Sequence, residues 1–578
     1  MAKRHTGLWL LATFFLFVII FATFAWTMNR MLGGGTPAIG SGTVLRIDLQ
    51  GALGEVRAGG PLPAPITVRE IDEAIHRAAS DDRVAALFLD VGPLSGGFAK
   101  VQEIRSAVHL FRQSGKPAVS LLEIGSGLDL YAAVAADTVV QVPTGQLTLG
   151  LLLQEVFYRD LFDKLGVQFE VFHSGPYKTA MNSYTERAST PQQREMGESL
   201  LESIYRQWLA DVASDRQLER DELAAIYDRG ILLAPEAKQA GLVDELGYRS
   251  RVRERLEEIA GGKVRQLGVR DYLRATGRGL LSKVLGRAPV VAVVYISGVM
   301  VPGDVENSFF GANIVAGTTV ARYLRQARED DRVRAIVVRV DSPGGAVTAA
   351  DVIGREVQLA AEKKPVIISM SDVAASGGYW VASGGSRVFA DPATYTGSIG
   401  VIMGRINLAG TYEMLGVNYE LLKRGANADL FSDAAPLRPE QAKILEESVQ
   451  TTYGRFIAKV AEGRRLPADK VEALAAGRVW TGEQARANGL IDELGGLREA
   501  LVEARIEAGI RPGRAVSLRI FPPRRSFFSQ LTRFFSVATQ LHGATGIDAW
   551  KGLELARRLR PGGLLWALAD SPLPAAAR

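Results

Sequence analysis

The chain repeats itself, and the repeat limits its fold more than any other feature. Asp81-Asp82-Arg83-Val84 recurs as Asp330-Asp331-Arg332-Val333, 249 residues on. Leu130-Tyr131-Ala132 falls on Tyr379-Trp380-Val381 at the same offset. Gly241-Leu242-Val243-Asp244-Glu245-Leu246-Gly247 returns as Gly489-Leu490-Ile491-Asp492-Glu493-Leu494-Gly495, 248 residues on. Each copy covers about 220 residues, the size of an ordinary domain, so two like modules stand in tandem.

Inside each copy the patterning is that of an α/β protein. Val290–Ile296, Ala335–Val340 and Val366–Met370 are short, apolar and rich in β-branched residues, as are Val44–Leu49, Ala85–Val91 and Ala118–Leu122. Runs apolar on both faces are the mark of strands in a mainly parallel sheet. Helical patterns such as Thr319–Arg328 and Ala349–Lys363 lie between them, and strand–helix alternation in both copies gives the fold class. The boundaries expected are 43–264 for the first copy, 265–288 for the connection, 289–517 for the second copy and 518–578 for a basic tail.

The two ends read differently from the body. Gly7–Trp26 is uncharged and rich in Leu, Phe and Ile, with Lys3, Arg4 and His5 before it and Arg30 after. Twenty such residues can cross a bilayer as one helix, and the positive flank keeps residues 1–6 cytoplasmic and exports the rest. A cleaved signal peptide is the alternative, with Thr23-Phe24-Ala25 as its cleavage context. The Gly/Pro-containing stretch 27–42 then serves as a leash. In the tail, Phe527, Phe528, Leu531, Phe534 and Phe535 follow helical spacing beside Arg524, Arg525 and Arg533. Such a helix can lie on a membrane surface or pack on a neighbouring subunit.

Composition removes several chemistries. With no cysteine there is no disulfide, thiol nucleophile or thiolate metal site, and a net charge of +5 makes no case for nucleic acid. The five histidines are His5, His76, His109, His173 and His542, none of them in the second copy. A histidine triad or a His-based zinc site there is poorly supplied.

One serine stands out against this background. Ser376 follows the apolar run Pro365–Met370 and precedes Gly377-Gly378, where a hydrolase exposes a nucleophile at the end of a buried strand. The bare N–H of Gly377 can face a developing oxyanion. At the 249-residue offset Ser376 faces Gly127, and Ser342-Pro343-Gly344-Gly345 faces the blurred turn Pro93-Leu94-Ser95-Gly96. The second copy has kept a nucleophile slot that the first has lost. Ser126, moved by one gap, is the rival nucleophile, though it lacks a following Gly-Gly.

A serine needs a neutral base, and without histidine a desolvated lysine is the substitute. Lys178, in His173-Ser174-Gly175-Pro176-Tyr177-Lys178 after the expected strand Gln168–Phe172, is the candidate. Its counterpart in the second copy is near Asn427-Ala428, where no lysine stands. Serine without lysine in one copy and lysine without serine in the other is what a site shared between repeats leaves behind. A surface lysine is the bland alternative.

Taken in order, Gly175-Pro176-Tyr177-Lys178, Asp341-Ser342-Pro343-Gly344-Gly345, Ala375-Ser376-Gly377-Gly378-Tyr379 and Thr396-Gly397-Ser398-Ile399-Gly400 resemble the signal peptide peptidase A family, in its long tandem-repeat bacterial form. The resemblance runs from about residue 43 to 515. It implies two Clp/crotonase-like repeats and a Ser–Lys dyad endopeptidase. By it, Ser376 attacks the scissile carbonyl, Lys178 is the general base and Ser398 orients the lysine. Gly377 and Gly344 or Gly345 form the oxyanion hole. It also implies a single-pass inner-membrane protein with its body on the periplasmic side, assembled as a homotetramer. The implied substrates are signal-peptide remnants and other extended apolar peptides; no cofactor or metal is implied. Thr179-Ala180-Met181-Asn182 departs from the family, where Ser-Ala and then a glutamate are usual. Two other classes compete: a crotonase-type acyl-CoA enzyme, which shares the fold, and a non-catalytic scaffold.

Overall fold

A computed structural model describes residues 38–56, 65–277, 288–304 and 314–523, together with Thr23. The expected anchor 7–26, Thr23 aside, and the tail beyond 523 lie outside the described residues. No described helix is long and apolar enough to cross a membrane.

The first copy contains strands β1 (Thr43–Ala52), β2 (Val84–Ser95), β3 (Ala118–Leu122), β4 (Thr138–Gln141), β5 (Gln168–His173), β6 (Glu245–Leu246) and β7 (Arg265–Gly268). All but β5 join one parallel sheet in the order β7-β1-β2-β3-β4-β6. The second copy contains β8 (Val290–Ser297), β9 (Val333–Ser342), β10 (Val366–Ala375), β11 (Arg387–Ala390), β12 (Tyr395–Gly397), β13 (Ile402–Asn407), β14 (Val479–Thr481), β15 (Glu493–Leu494) and β16 (Ser517–Phe521). Its sheet repeats the order as β16-β8-β9-β10-β11-β15, with β12 also paired to β10 and β14 antiparallel to β12. Identical strand order in two halves of one chain is the duplication seen in three dimensions.

Two sequence boundaries are corrected. Arg265–Gly268, assigned to the connection, is β7 and pairs with β1. Ser517–Phe521, at the expected start of the tail, is β16 and pairs with β8. Both are short edge strands with polar residues, Arg265-Gln266 and Ser517, so neither carries the apolar signature of a central strand.

Helices cover both faces. The ones that matter for the site are α1 (Val68–Ala79), α2 (Phe98–Gln113), α3 (Gly127–Ala133), α4 (Pro191–Arg216), α5 (Gly317–Glu329), α6 (Val347–Ala361), α7 (Gly377–Ala382) and α8 (Pro439–Arg464). α4 and α8 are the same element 248 residues apart, each with Pro in the first turn and a left-handed residue, Gln217 or Arg465, at its end. Proline fits there because its missing N–H would be unpaired anyway. Each sheet buries apolar side chains on both sides: Leu45, Leu87 and Ile71 on one side of the first, Phe88 and Val119 on the other.

The copies are joined by buried polar contacts. Arg339 on β9, 1% exposed, donates to both carboxylate oxygens of Glu55 at 3.0 Å and to Glu103 on α2 at 2.5 Å. Ser203 on α4 and Thr481 on β14 bond through their hydroxyls at 2.9 Å.

Candidate active site

Ser376 occupies the turn between β10 and α7. Every residue of β10 is buried, so the strand fixes the point at which the chain emerges. Ser376 has φ 53° and ψ −117°, a conformation that side-chain-bearing residues avoid. Its N–H donates to the Gly397 carbonyl at 2.9 Å and its own carbonyl accepts from Trp380 at 2.8 Å. The strained backbone is thus pinned on both sides, with Oγ presented at a strand-to-helix turn.

Gly344 shows why the opposing turn lacks side chains. A Cβ there would lie 2.6 Å from Gly377 N and 2.9 Å from Ser376 Cβ. The Gly344 N–H donates to Ser342 Oγ at 3.1 Å, so it is spent inside the turn. Met300 donates to the Gly344 carbonyl and accepts from Ala346, so the intervening N–H of Gly345 faces the other way. Among the described residues the N–H groups of Gly345 and Gly377, the latter in the first turn of α7, have no protein acceptor.

Lys178 arrives from the other copy. β5 leaves the first sheet and pairs antiparallel with β13, His173 opposite Ile402 through Gln168 opposite Asn407. Ser174 extends the clamp: its N–H donates to the Val401 carbonyl at 2.9 Å and its Oγ accepts from Val401 N–H at 2.7 Å. This docking carries Lys178 Nζ to 3.0 Å from Ser376 Oγ, 3.0 Å from the Ser398 carbonyl and 2.9 Å from Ser398 Oγ. Ser398 holds a positive φ of 50° in the turn between β12 and β13.

Burial sets the electrostatics of the lysine. Lys178 is 5% exposed, and desolvation alone pulls its ammonium down to about 7. Lys100, by contrast, is held charged by Asp372, Asp341 and Glu55 against the same burial.

The loop 475–478 completes the enclosure, though nothing in its sequence marks it. Tyr177 N–H donates to the Ala476 carbonyl at 3.0 Å, Gly477 N–H to Ile399 at 2.9 Å and Ser398 N–H to Arg478 at 2.7 Å. A Cβ on Gly477, whose φ is +85°, would lie 2.4 Å from Lys178 N. Arg478 stacks between Tyr177 and Trp480 and pairs with Glu195 at 2.7 Å. Gly-Arg before a short strand looks like an ordinary turn, so no signal in the sequence marked it.

Among its described residues the first copy holds no such set. Ser126 caps α3 and its Oγ donates to Asp129 at 2.7 Å. Trp208 Nε1 donates to the Gly127 carbonyl at 2.9 Å. Asn427 and Ala428, the counterparts of the lysine region, are exposed. Asn182 is buried and donates to Gln193 at 2.8 Å. Among the described residues no group of His, Asp and Glu is arranged to hold a metal ion.

Comparison with known proteins gives the family. The sequence pattern of peptidase family S49 matches residues 110–263 and 358–511, once in each copy. The chain belongs to peptidase family S49. It is a serine peptidase. It is 34% identical over 481 residues to the chloroplastic serine protease SPPA of Arabidopsis thaliana, covering 82% of this chain and 71% of that one. To Protease 4 of Salmonella typhi it is 33% identical, with 75% and 71% covered. To Protease 4 of Haemophilus influenzae it is 30% identical, with 79% and 75% covered. Among solved structures, a membrane protease specific for a stomatin homolog from Pyrococcus horikoshii is similar at 18% identity, with a TM-score of 0.25 over 43% of this chain and 98% of that one.

Proposed function

We propose that this S49 peptidase cleaves peptide bonds with a Ser–Lys dyad divided between its two copies, Ser376 as nucleophile and Lys178 as general base. The observation that carries the reading is the 3.0 Å contact between Lys178 Nζ and Ser376 Oγ, with no carboxylate acting on the lysine. A neutral amine has two N–H donors and one lone pair. Its two donors match the carbonyl and Oγ of Ser398, which leaves the lone pair for the Ser376 proton. Ser398 thereby orients the base.

In this mechanism Ser376 Oγ attacks the scissile carbonyl while Lys178 accepts its proton. The carbonyl oxygen becomes an oxyanion between the N–H groups of Gly345 and Gly377. Lys178 returns the proton to the leaving amine as the C–N bond breaks, giving an acyl-enzyme. Water, deprotonated by Lys178, then releases the acid and restores Ser376.

The expected substrates are signal-peptide remnants and other extended apolar peptides, met by a body tethered through 7–26 outside the inner membrane. The uncharged segment with its basic flank supports the tether. A homotetramer is supported by unmatched edges. β5 and β13 pair within the chain, but their counterparts 250 residues away, Asn418–Lys423 and Leu152–Phe157, form no strand among the described residues. Both bear exposed apolar side chains, Leu422 at 89% and Leu152 at 72%, so neighbouring copies can repeat the β5–β13 pairing between chains.

A serine-directed aryl phosphonate tests the chemistry. It labels the wild type and not Ser376→Ala; equal labelling of both, or of neither, removes Ser376 as nucleophile. Light scattering of Leu422→Asp tests the assembly, which this change breaks into smaller species; an unchanged mass excludes the edge.

A further inference from the structure

Behind the Ser376 turn and the 342–345 turn of the second copy, the first copy places one buried cation. Lys100, in the first turn of α2, places Nζ 2.8 Å from Asp341 Oδ2 and 3.1 Å from Asp372 Oδ2. Asp341 is on β9, directly before Ser342 and the oxyanion turn. Asp372 is on β10, four residues before Ser376.

These two positions sit where the sheet loses register. β9 and β10 run in step to Val340 opposite Met370, then resume at Ser342 opposite Ala374. Two extra residues on β10 therefore have to be accommodated beside the turn. Asp341 and Asp372 lie in that interval, two carboxylates within reach of one ammonium. Without the cation they repel one another in a buried place, and the strand ends they sit on are the ones that set the distance between Gly345 and Ser376.

Each carboxylate is also tied to more than the lysine. Asp372 accepts from the Gly97 N–H at 3.0 Å and the Lys100 N–H at 3.0 Å, capping α2 from across the repeat boundary. A Cβ on Gly97 would lie 2.4 Å from that carboxylate, so only glycine permits the approach. The Asp341 carbonyl accepts from Gly298 N–H at 2.9 Å, and Ser342 Oγ donates back to the Gly298 carbonyl at 2.6 Å while accepting from Gly344. A shift of Asp341 is thus transmitted into the oxyanion turn. The first copy's turn 93–97, with the start of α2, is the dock that receives this load.

We propose that Lys100 is a positioning residue for the peptidase reaction: its ammonium, held by Asp341 and Asp372, locks the oxyanion turn against the Ser376 turn across the repeat boundary. The inference rests on the reading of Ser376 and Gly345 given above. Lys100 touches neither substrate nor reacting atom, so it acts on turnover rather than on substrate binding.

The test is a double-mutant cycle on hydrolysis of a fluorogenic apolar peptide by the full chain in detergent, with wild type, Lys100→Met, Asp341→Asn and both together. Lys100→Met is expected to lower kcat about tenfold or more with KM within about twofold, because the turn shifts by a fraction of an ångström. Asp341→Asn is expected to lower kcat about threefold, and the double variant to fall no further than Lys100→Met alone. A folded Lys100→Met with wild-type kcat overturns the proposal, as does multiplication of the two single effects in the double variant. Where Lys100→Met does not fold, Asp341→Asn and Asp372→Asn decide: reduced kcat at constant KM in the folded proteins supports the lock, and wild-type kcat in both overturns it. Ser376→Ala, run alongside, separates the failures. If it keeps activity the site reading itself falls; if it is inactive while Lys100→Met is normal, only the lock falls.

Discussion

Replacing Gly477 with alanine should disable the enzyme while leaving it folded. The added Cβ would sit 2.4 Å from Lys178 N and 2.5 Å from its Cα and Cβ, about 1 Å inside normal van der Waals contact. These are backbone atoms or the first side-chain carbon, so no flexible tip can move aside. Either loop 475–478 or Lys178 has to give way by that distance. A misplacement of about 1 Å at reacting groups costs roughly a hundredfold in rate, or ~2.7 kcal/mol of barrier. The left-handed φ of +85° adds about 1–2 kcal/mol of strain for alanine, which lowers thermal stability by a few degrees without unfolding the protein. The assay is kcat and KM for a fluorogenic apolar peptide, with a melting curve on the same samples. The expected result is a kcat reduced about a hundredfold and a KM little changed. A folded Gly477→Ala enzyme with kcat within about threefold of wild type would falsify the idea that this loop sets the position of Lys178.

Three further outcomes follow from the same geometry. Ser398→Ala removes one of three acceptors around Lys178 Nζ; the charged amine, which uses all three, loses more than the neutral one, so the kinetic pKa moves below about 7 and kcat falls about tenfold, both read from a pH–rate profile. Arg339→Met strips the cation from Glu55 and Glu103 and destabilises the fold by about 3–5 kcal/mol in urea titration; the stranded carboxyls then have raised pKa values, so their stability is present at low pH and lost as pH rises, and the deficit shrinks on acidification. Ser126→Ala removes only a helix cap and leaves peptidase activity unchanged, with a loss of about 1 kcal/mol in stability; a collapse of activity would return Ser126 to the role of nucleophile.

Much of this architecture is legible in the sequence because the two copies comment on one another. Central strands such as the one beginning Val366–Met370 announce themselves by a short apolar run rich in β-branched residues, and Ser376 by what its counterpart Gly127 lacks. Lys178 is legible only through the comparison, since nothing local distinguishes it from a surface lysine. The edge strands Arg265–Gly268 and Ser517–Phe521 escape notice because a strand with one neighbour needs little apolar surface. The contact of Gly477 with Lys178 and the bond from Lys100 to Asp341 escape for another reason. Each joins residues more than 200 positions apart, and neither a glycine nor a lysine carries a pattern that says what it will meet. The division of the oxyanion turn is in the same class: Gly344 and Gly345 look equivalent until Ser342 Oγ is seen to occupy the first.

The pH dependence of peptide hydrolysis, measured on wild type, Ser376→Ala and Lys178→Ala, bears most directly on the central claim. A lysine whose ammonium is pulled down to about 7 by burial is protonated and useless as a base below that pH, and free above it. Wild-type kcat/KM should therefore climb about tenfold per pH unit from pH 5, bend near 7 and level off toward 9, while both variants stay at background throughout and remain folded. A wild-type rate that is flat across this range, or a Lys178→Ala enzyme that keeps most of its activity, would mean that another group is the base and that the two copies do not share one dyad.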